Sequence, residues 1–146
     1  GSLILTDTAM AAAAIASMAD KIPNSSLKTV LDWSPKKAPA GLTRTAIGIE
    51  LAWKEIMSRI SLGQAPIVVI GSSPTALHTL LDLVEQGYPP PGLIVGMPVG
   101  FIEVINSKER LASFDLPQIR IDGSKGGAAM AAATVNALIR ATIINS

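Results

Sequence analysis

Cysteine is missing from this 146-residue chain, and histidine occurs once, at position 78. The first absence excludes disulfides, thiolate nucleophiles and cysteine-ligated metals, and a lone histidine argues against a conventional zinc site. Charge is scarce too: 16 % of residues are charged against 49 % hydrophobic, and twelve basic side chains against eleven acidic ones leave a formal +1. Such a balance gives no footprint for nucleic acid or an anionic membrane surface, so a charged ligand must be held by local groups. The lack of cysteine is compatible with a cytoplasmic home. Long apolar runs are lacking as well. The alanine-rich stretches Ala9–Ala19 and Ala128–Ala141 are bounded or interrupted by Asp7, Asp20, Thr134, Asn136 and Arg140, well short of the ~20 strongly apolar residues of a membrane span. Gly1-Ser2 has no initiator methionine and reads as a cloning scar, and no signal-peptide pattern follows it.

What is present suits a single domain, residues 1–146, with apolar content ample for a buried core. β-Branched runs at Leu3–Thr6, Leu27–Leu31, Ile67–Ile70, Leu93–Val95 and Gln118–Ile121 read as strands. Helical patterns alternate with them: a helix through Met18 capped by Asp7 or Thr8, then Leu42–Ile60, Pro74–Gln86, Ile102–Ala112 and Gly126–Ile143. Strands apolar at consecutive positions, such as Ile-Val-Val-Ile, belong in a sheet covered on both faces. The expected fold is a three-layer α/β/α sandwich with a mainly parallel sheet of about five strands.

Open parallel sheets bind ligands where strand ends lead into helix N-termini. Four loops should gather at that edge: Thr6–Thr8, Gly71–Ala76, Gly96–Phe101 and Asp122–Gly127. Gly71, Ser72 and Ser73 ahead of Pro74 offer amides and hydroxyls to an anion, or form an ordinary capped turn; the spacing is not that of a Walker loop. Gly96, Met97, Pro98, Val99, Gly100 and Phe101 carry no charge. They offer either a greasy backbone face for a flat ligand or a tight turn with buried anchors. Lys125 beside Gly126 and Gly127 is either a carboxylate or phosphate cradle or a solvated lysine. Arg44 sits at a helix start where the dipole disfavours a cation, which an anionic partner would explain, and a surface arginine is the plain alternative. His78 shares a helix face with Asp82 and Glu85 and should point to solvent, a poor place for an acid or base.

Taken together, TDTAM, TRTAIGIELA, VVIGSSPTAL, GMPVGFIEVINSK and GSKGGAAMAAATVNALI resemble, in order and spacing, the successive motifs of precorrin-8X methylmutases from about Leu3 to Ile139. Ser72 replaces the asparagine of the family's GNAPTAL pattern, Gly123-Ser124 stands where GR is usual, and Ala14–Lys21 replaces a glycine and basic cluster. The resemblance implies an α/β/α homodimer that shifts a methyl group between ring carbons of a corrinoid precursor in cobalamin biosynthesis, without a cofactor. It implies a proton-donating histidine upstream of the first strand, in a segment this chain lacks, so no catalytic residue is expected here. Arg44 matches the family's TR-S/T arginine. The expected substrate contacts are Thr6, Asp7, Arg44, Gly71, Ser72, Gly96, Met97, Pro98, Val99, Gly100, Lys125, Gly126 and Gly127. Two other readings are a non-catalytic corrinoid- or partner-binding module derived from that family, and an unrelated nucleotide-binding protein using Gly71–Ala76.

Overall fold

The computed structural model describes residues 2–59 and 65–145. Five strands form one all-parallel sheet in the order β2-β1-β3-β4-β5, with β1 Leu3–Thr6, β2 Ser26–Thr29, β3 Ile67–Ile70, β4 Leu93–Gly96 and β5 Gln118–Arg120. The helices are α1 Ala9–Ala19, α2 Arg44–Arg59, α3 Pro74–Glu85, α4 Val104–Ala112 and α5 Ala128–Ile144. Alternation along β3 shows how the layers arise. Val68 and Ile70 join a core with Trp53 of α2, Leu77 and Leu80 of α3 and Leu111 of α4. Val69 turns the other way, toward Ile15 of α1 and Val135 and Ile139 of α5. A strand apolar at every position is therefore buried on both faces.

Local chemistry moves several element ends from their expected places. The second strand stops at Thr29, where its β1 partner Thr6 also ends, and Val30–Asp32 turns into a 3-10 helix capped by the Thr29 hydroxyl. Thr43 caps α2 by accepting the Ala46 amide, so the helix starts at Arg44 instead of Leu42; the expected end at Ile60 lies outside the described residues. Left-handed Glu103 delays α4 to Val104. Gly126 and Gly127, at φ +156° and +120°, delay α5 to Ala128.

Candidate functional site

The strand order reverses between β1 and β3, and the crevice at the carboxyl ends of those strands is where an open parallel sheet ordinarily takes its ligand. Here Asp7 fills it. The residue is fully buried; its Oδ1 accepts the Gly71 amide at 3.0 Å, and its Oδ2 accepts the amides of Ser72 and Ser73, each at 2.8 Å. Burial raises the carboxyl above its ordinary 3.8, opposed by those amide bonds. Ser73 caps α3 at the Ala76 amide. The anion that suits the Gly71–Ser73 turn thus comes from the chain itself: the sequence offered this turn and Asp7 as substrate contacts, and the structure places the Asp7 carboxylate, buried, on the turn's amides. Thr6 is also fully buried, with its hydroxyl donated to the Thr8 carbonyl.

Next along the edge, the loops after β4 and β5 are tied together. Gly127 N–H donates to the Met97 carbonyl at 2.8 Å and Gly100 N–H to the Ser124 carbonyl at 3.1 Å. A Cβ on Gly126 would fall 2.2 Å from the Met97 oxygen, and one on Gly96 would fall 2.5 Å from Leu111 Cδ2. These glycines serve protein-to-protein contact, where close approach of a ligand had been expected. Met97 is likewise a core residue, 4 % exposed, with the Thr134 hydroxyl on its sulfur, and Gly96 and Pro98 are buried beside it.

Lys108 of α4 holds the second loop. Its side chain is 1 % exposed, and Nζ donates to the carbonyls of Gly123 at 2.7 Å and Lys125 at 2.5 Å. Burial lowers its pKa from the ordinary value, partly countered by Asp122. The serine–lysine pair Ser107-Lys108 was visible in sequence, but nothing there said that the ammonium points inward.

The accessible part of the edge combines three kinds of group. Val99, Phe101 and Ile102 are 49 %, 85 % and 86 % exposed, a cluster of apolar side chains on one loop. Lys125 is exposed with no ion pair among the described residues, beside an α5 N-terminus that no side chain caps. Exposed Ser72 has no side-chain partner there either. Arg44 is tethered through Nε to the Pro35 carbonyl at 2.8 Å, which leaves its terminal nitrogens available. Around it lies a hydroxyl cluster the sequence reading missed: Thr43 meets Thr75 at 2.7 Å, Thr45 meets Ser73 at 2.7 Å, and Ser73 meets Thr75 at 3.0 Å. The signal was there, hydroxyl residues at the starts of two helices, but their mutual approach is tertiary.

His78 departs from expectation. It lies partly buried between α3 and α4, against Arg110 and Glu103, instead of facing solvent. Among the described residues no group of three or more His, Cys, Asp or Glu is placed to hold a metal ion, and no helix is long and apolar enough to cross a membrane.

Comparison with known proteins agrees with this architecture. The profile of the precorrin-8X methylmutase family, CbiC, matches residues 1–141. A cobalt-precorrin-8 methylmutase from Synechocystis sp. is 37 % identical over 141 residues, covering 95 % of this chain and 60 % of that protein. A precorrin-8X methylmutase from Pseudomonas aeruginosa is 46 % identical over 100 residues, 67 % of this chain and 45 % of the relative. The crystal structure of the precorrin-8X methylmutase from Thermus thermophilus superposes with a TM-score of 0.81 at 30 % identity, over 99 % of this chain and 69 % of that one. The chain therefore spans about 60 % or less of these two relatives' lengths. On its sequence and its fold alike, the chain belongs to the precorrin-8X methylmutase family.

Proposed function

We propose that this chain forms the corrinoid-holding part of a methylmutase of cobalamin biosynthesis, an isomerase that moves a methyl group on the macrocycle. The observation that carries the reading is the pairing of the exposed Val99, Phe101 and Ile102 with Lys125 and the open α5 N-terminus on one sheet edge. A corrinoid precursor is a broad apolar ring edged by carboxylate arms. The apolar loop suits the ring, and Lys125, Arg44 and the α5 amides suit the arms through charge-assisted hydrogen bonds. Gly100, Gly126 and Gly127 serve by shaping the loops. The same chemistry argues against a nucleotide at Gly71–Ala76, whose first amides already hold Asp7.

Isomerisation needs a proton donor within hydrogen-bond reach of the ring. Asp7 is enclosed by its amides, and the Nδ1 of His78 faces Arg110. The chain by itself therefore binds the macrocycle without moving the methyl group, and needs no cofactor to do so. The reading places it in the cytoplasm as a homodimer, for which the sparsely charged outer faces of α1 and α5, with exposed Met10 and Met130, are suitable surfaces; light scattering that finds only monomer at high concentration would remove the dimer.

Absorbance titration with dicyanocobyrinic acid, a corrin polyacid, tests the site. Saturable binding that weakens in Lys125→Ala and Phe101→Ala is expected. Absence of binding, or binding indifferent to both substitutions, overturns the assignment. Turnover of precorrin-8X by the isolated chain would overturn the division between holding and catalysis.

A further inference from the structure

Four hydroxyls at the starts of α2 and α3 close into a ring. Thr43 Oγ1 meets Thr75 Oγ1 at 2.7 Å, Thr75 meets Ser73 Oγ at 3.0 Å, Ser73 meets Thr45 Oγ1 at 2.7 Å, and Thr45 returns to Thr43 at 3.3 Å. A hydroxyl has one proton to give and two lone pairs to receive with. Four protons match four contacts, so each hydroxyl donates once around the ring. Thr43 and Ser73 each accept a further proton, from the Ala46 and Ala76 amides that they cap, which uses both of their lone pairs. The ring is complete within itself and has no proton to spare for a ligand carboxylate. Its role lies between the two helices.

Arg44 sits between two members of the ring, Thr43 and Thr45. Its own ties run the other way: Ser34 Oγ donates to the Arg44 carbonyl, Nε donates to the Pro35 carbonyl, and Gly48, one turn on, packs closely on the Val30 carbonyl. Those contacts hold the start of α2 to the segment that follows β2. Among the described residues the ring supplies the only hydrogen bonds from that start to α3, whose first turn is fixed in the crevice by Asp7. Farther along, Ile49 and Trp53 of α2 share a core with Leu77 and Leu80 of α3. Apolar burial of that kind is non-directional, whereas hydrogen bonds have a preferred distance and angle.

We propose that Thr75 is a positioning residue for Arg44: its hydroxyl closes the ring that registers the start of α2, and the arginine with it, against the Asp7-anchored turn of α3. Thr75 caps no helix, and its hydroxyl has no partner outside the ring among the described residues. What Arg44 is positioned for rests on the corrinoid reading; the tie between the two helix starts does not.

Two measurements keep these apart. Thr75→Val retains the branched shape without the hydroxyl, and Thr75→Ser retains the hydroxyl. The amides of Ala46 and Ile47, which donate to Thr43, report the far side of the ring. Their hydrogen exchange is expected to accelerate about threefold to tenfold in Thr75→Val, the scale of one lost neutral hydrogen bond in a local opening, and to stay near the parent rate in Thr75→Ser. Unchanged exchange on α2 in Thr75→Val, or equal acceleration in Thr75→Ser, would overturn the proposal whatever the chain binds. For the arginine itself, Thr75→Val should weaken dicyanocobyrinic acid binding about threefold in the parent and leave it unchanged in an Arg44→Ala background, as expected of residues acting through one another. The same effect in both backgrounds, including none, would show that Thr75 does not act through Arg44 and overturns the positioning role. If the parent fails to bind the corrin while exchange on α2 responds, the corrinoid reading falls and the tie between the helix starts stands.

Discussion

Asp7 and Ser73 are 66 residues apart in sequence, yet the carboxylate of one accepts the backbone amide of the other at 2.8 Å inside the sheet's main crevice. With the amides of Gly71 and Ser72 also on Asp7, the turn into α3 is built around this one side chain. Asp7→Asn keeps the shape but sets an NH2 group against an N–H. We expect a loss of about 1–3 kcal/mol, the cost of leaving a buried donor unsatisfied. Urea unfolding measures it; a variant as stable as the parent would mean that the turn does not depend on the carboxylate.

The pH dependence of that loss has a definite sign. Burial raises the Asp7 carboxyl in the folded state above 3.8, so the folded chain binds this proton more tightly than the unfolded chain does. The linkage from Asp7 therefore stabilises the fold as pH falls. It is complete below the ordinary carboxylate range and is lost as pH rises through the folded value. Against the non-titrating Asp7→Asn variant, the parent's advantage should widen from about pH 7 to about pH 4. A narrowing advantage would show that the amide bonds outweigh burial.

Lys108→Met tests the inward lysine. Methionine approximates the volume but leaves the carbonyls of Gly123 and Lys125 without their donor. We expect about 1.5–3 kcal/mol of destabilisation, as for hydrogen bonds to a charged group, together with loosening of residues 122–127. Proteolytic nicking or hydrogen exchange in that loop reads the second effect. Unchanged exchange there would separate Lys108 from the loop it contacts.

Gly126→Ala and Gly41→Ala separate backbone strain from steric exclusion. Both residues have positive φ, but nothing lies within 4 Å of a Cβ on Gly41, whereas on Gly126 it would strike the Met97 carbonyl. Gly41→Ala should cost about 1–2 kcal/mol from conformation alone, and Gly126→Ala should exceed it by about 1–3 kcal/mol from overpacking. Equal midpoints in thermal melts would show that the two loops can separate freely.

The strands and layers were legible because Ile67–Ile70 can only be a doubly covered strand, and Pro74 and Thr8 mark helix starts by local chemistry alone. The site was legible only as a neighbourhood. An acidic residue at a strand end and three amides at another strand end look like two ligand sites until the fold brings them together, as Asp7 and Gly71–Ser73 show. A methionine in a glycine-rich loop gives no sign of its side-chain direction, and Met97 turned into the core while Phe101 turned out. For His78, helix periodicity placed the side chain away from the apolar stripe, but α4 packs on that side too, bringing Arg110 with it.

Arg44 supplies the last prediction. Its Nε is bound to the Pro35 carbonyl, and the Ser34 hydroxyl donates to its carbonyl at 2.6 Å, so the exposed residue fixes the Ser34–Pro35 segment while its terminal N–H groups have no partner among the described residues. Arg44→Ala removes the Pro35 bond and the terminal groups but keeps the backbone carbonyl that Ser34 donates to, whereas Arg44→Lys keeps a charge but cannot reproduce the fork. If a substrate carboxylate lies on the terminal nitrogens, Arg44→Ala should weaken dicyanocobyrinic acid binding by about 1.5–3 kcal/mol, as for losing a charged hydrogen bond. Arg44→Lys should retain part of that affinity, because Coulomb attraction survives while bidentate geometry is lost. Lys125→Ala stands on the far loop and shares no partner with Arg44, so the two losses should add. Calorimetric titration of the single variants and the double variant decides it. An Arg44→Ala chain that binds as tightly as the parent would confine Arg44 to holding Pro35 and move the carboxylate contacts to Lys125 and the α5 N-terminus.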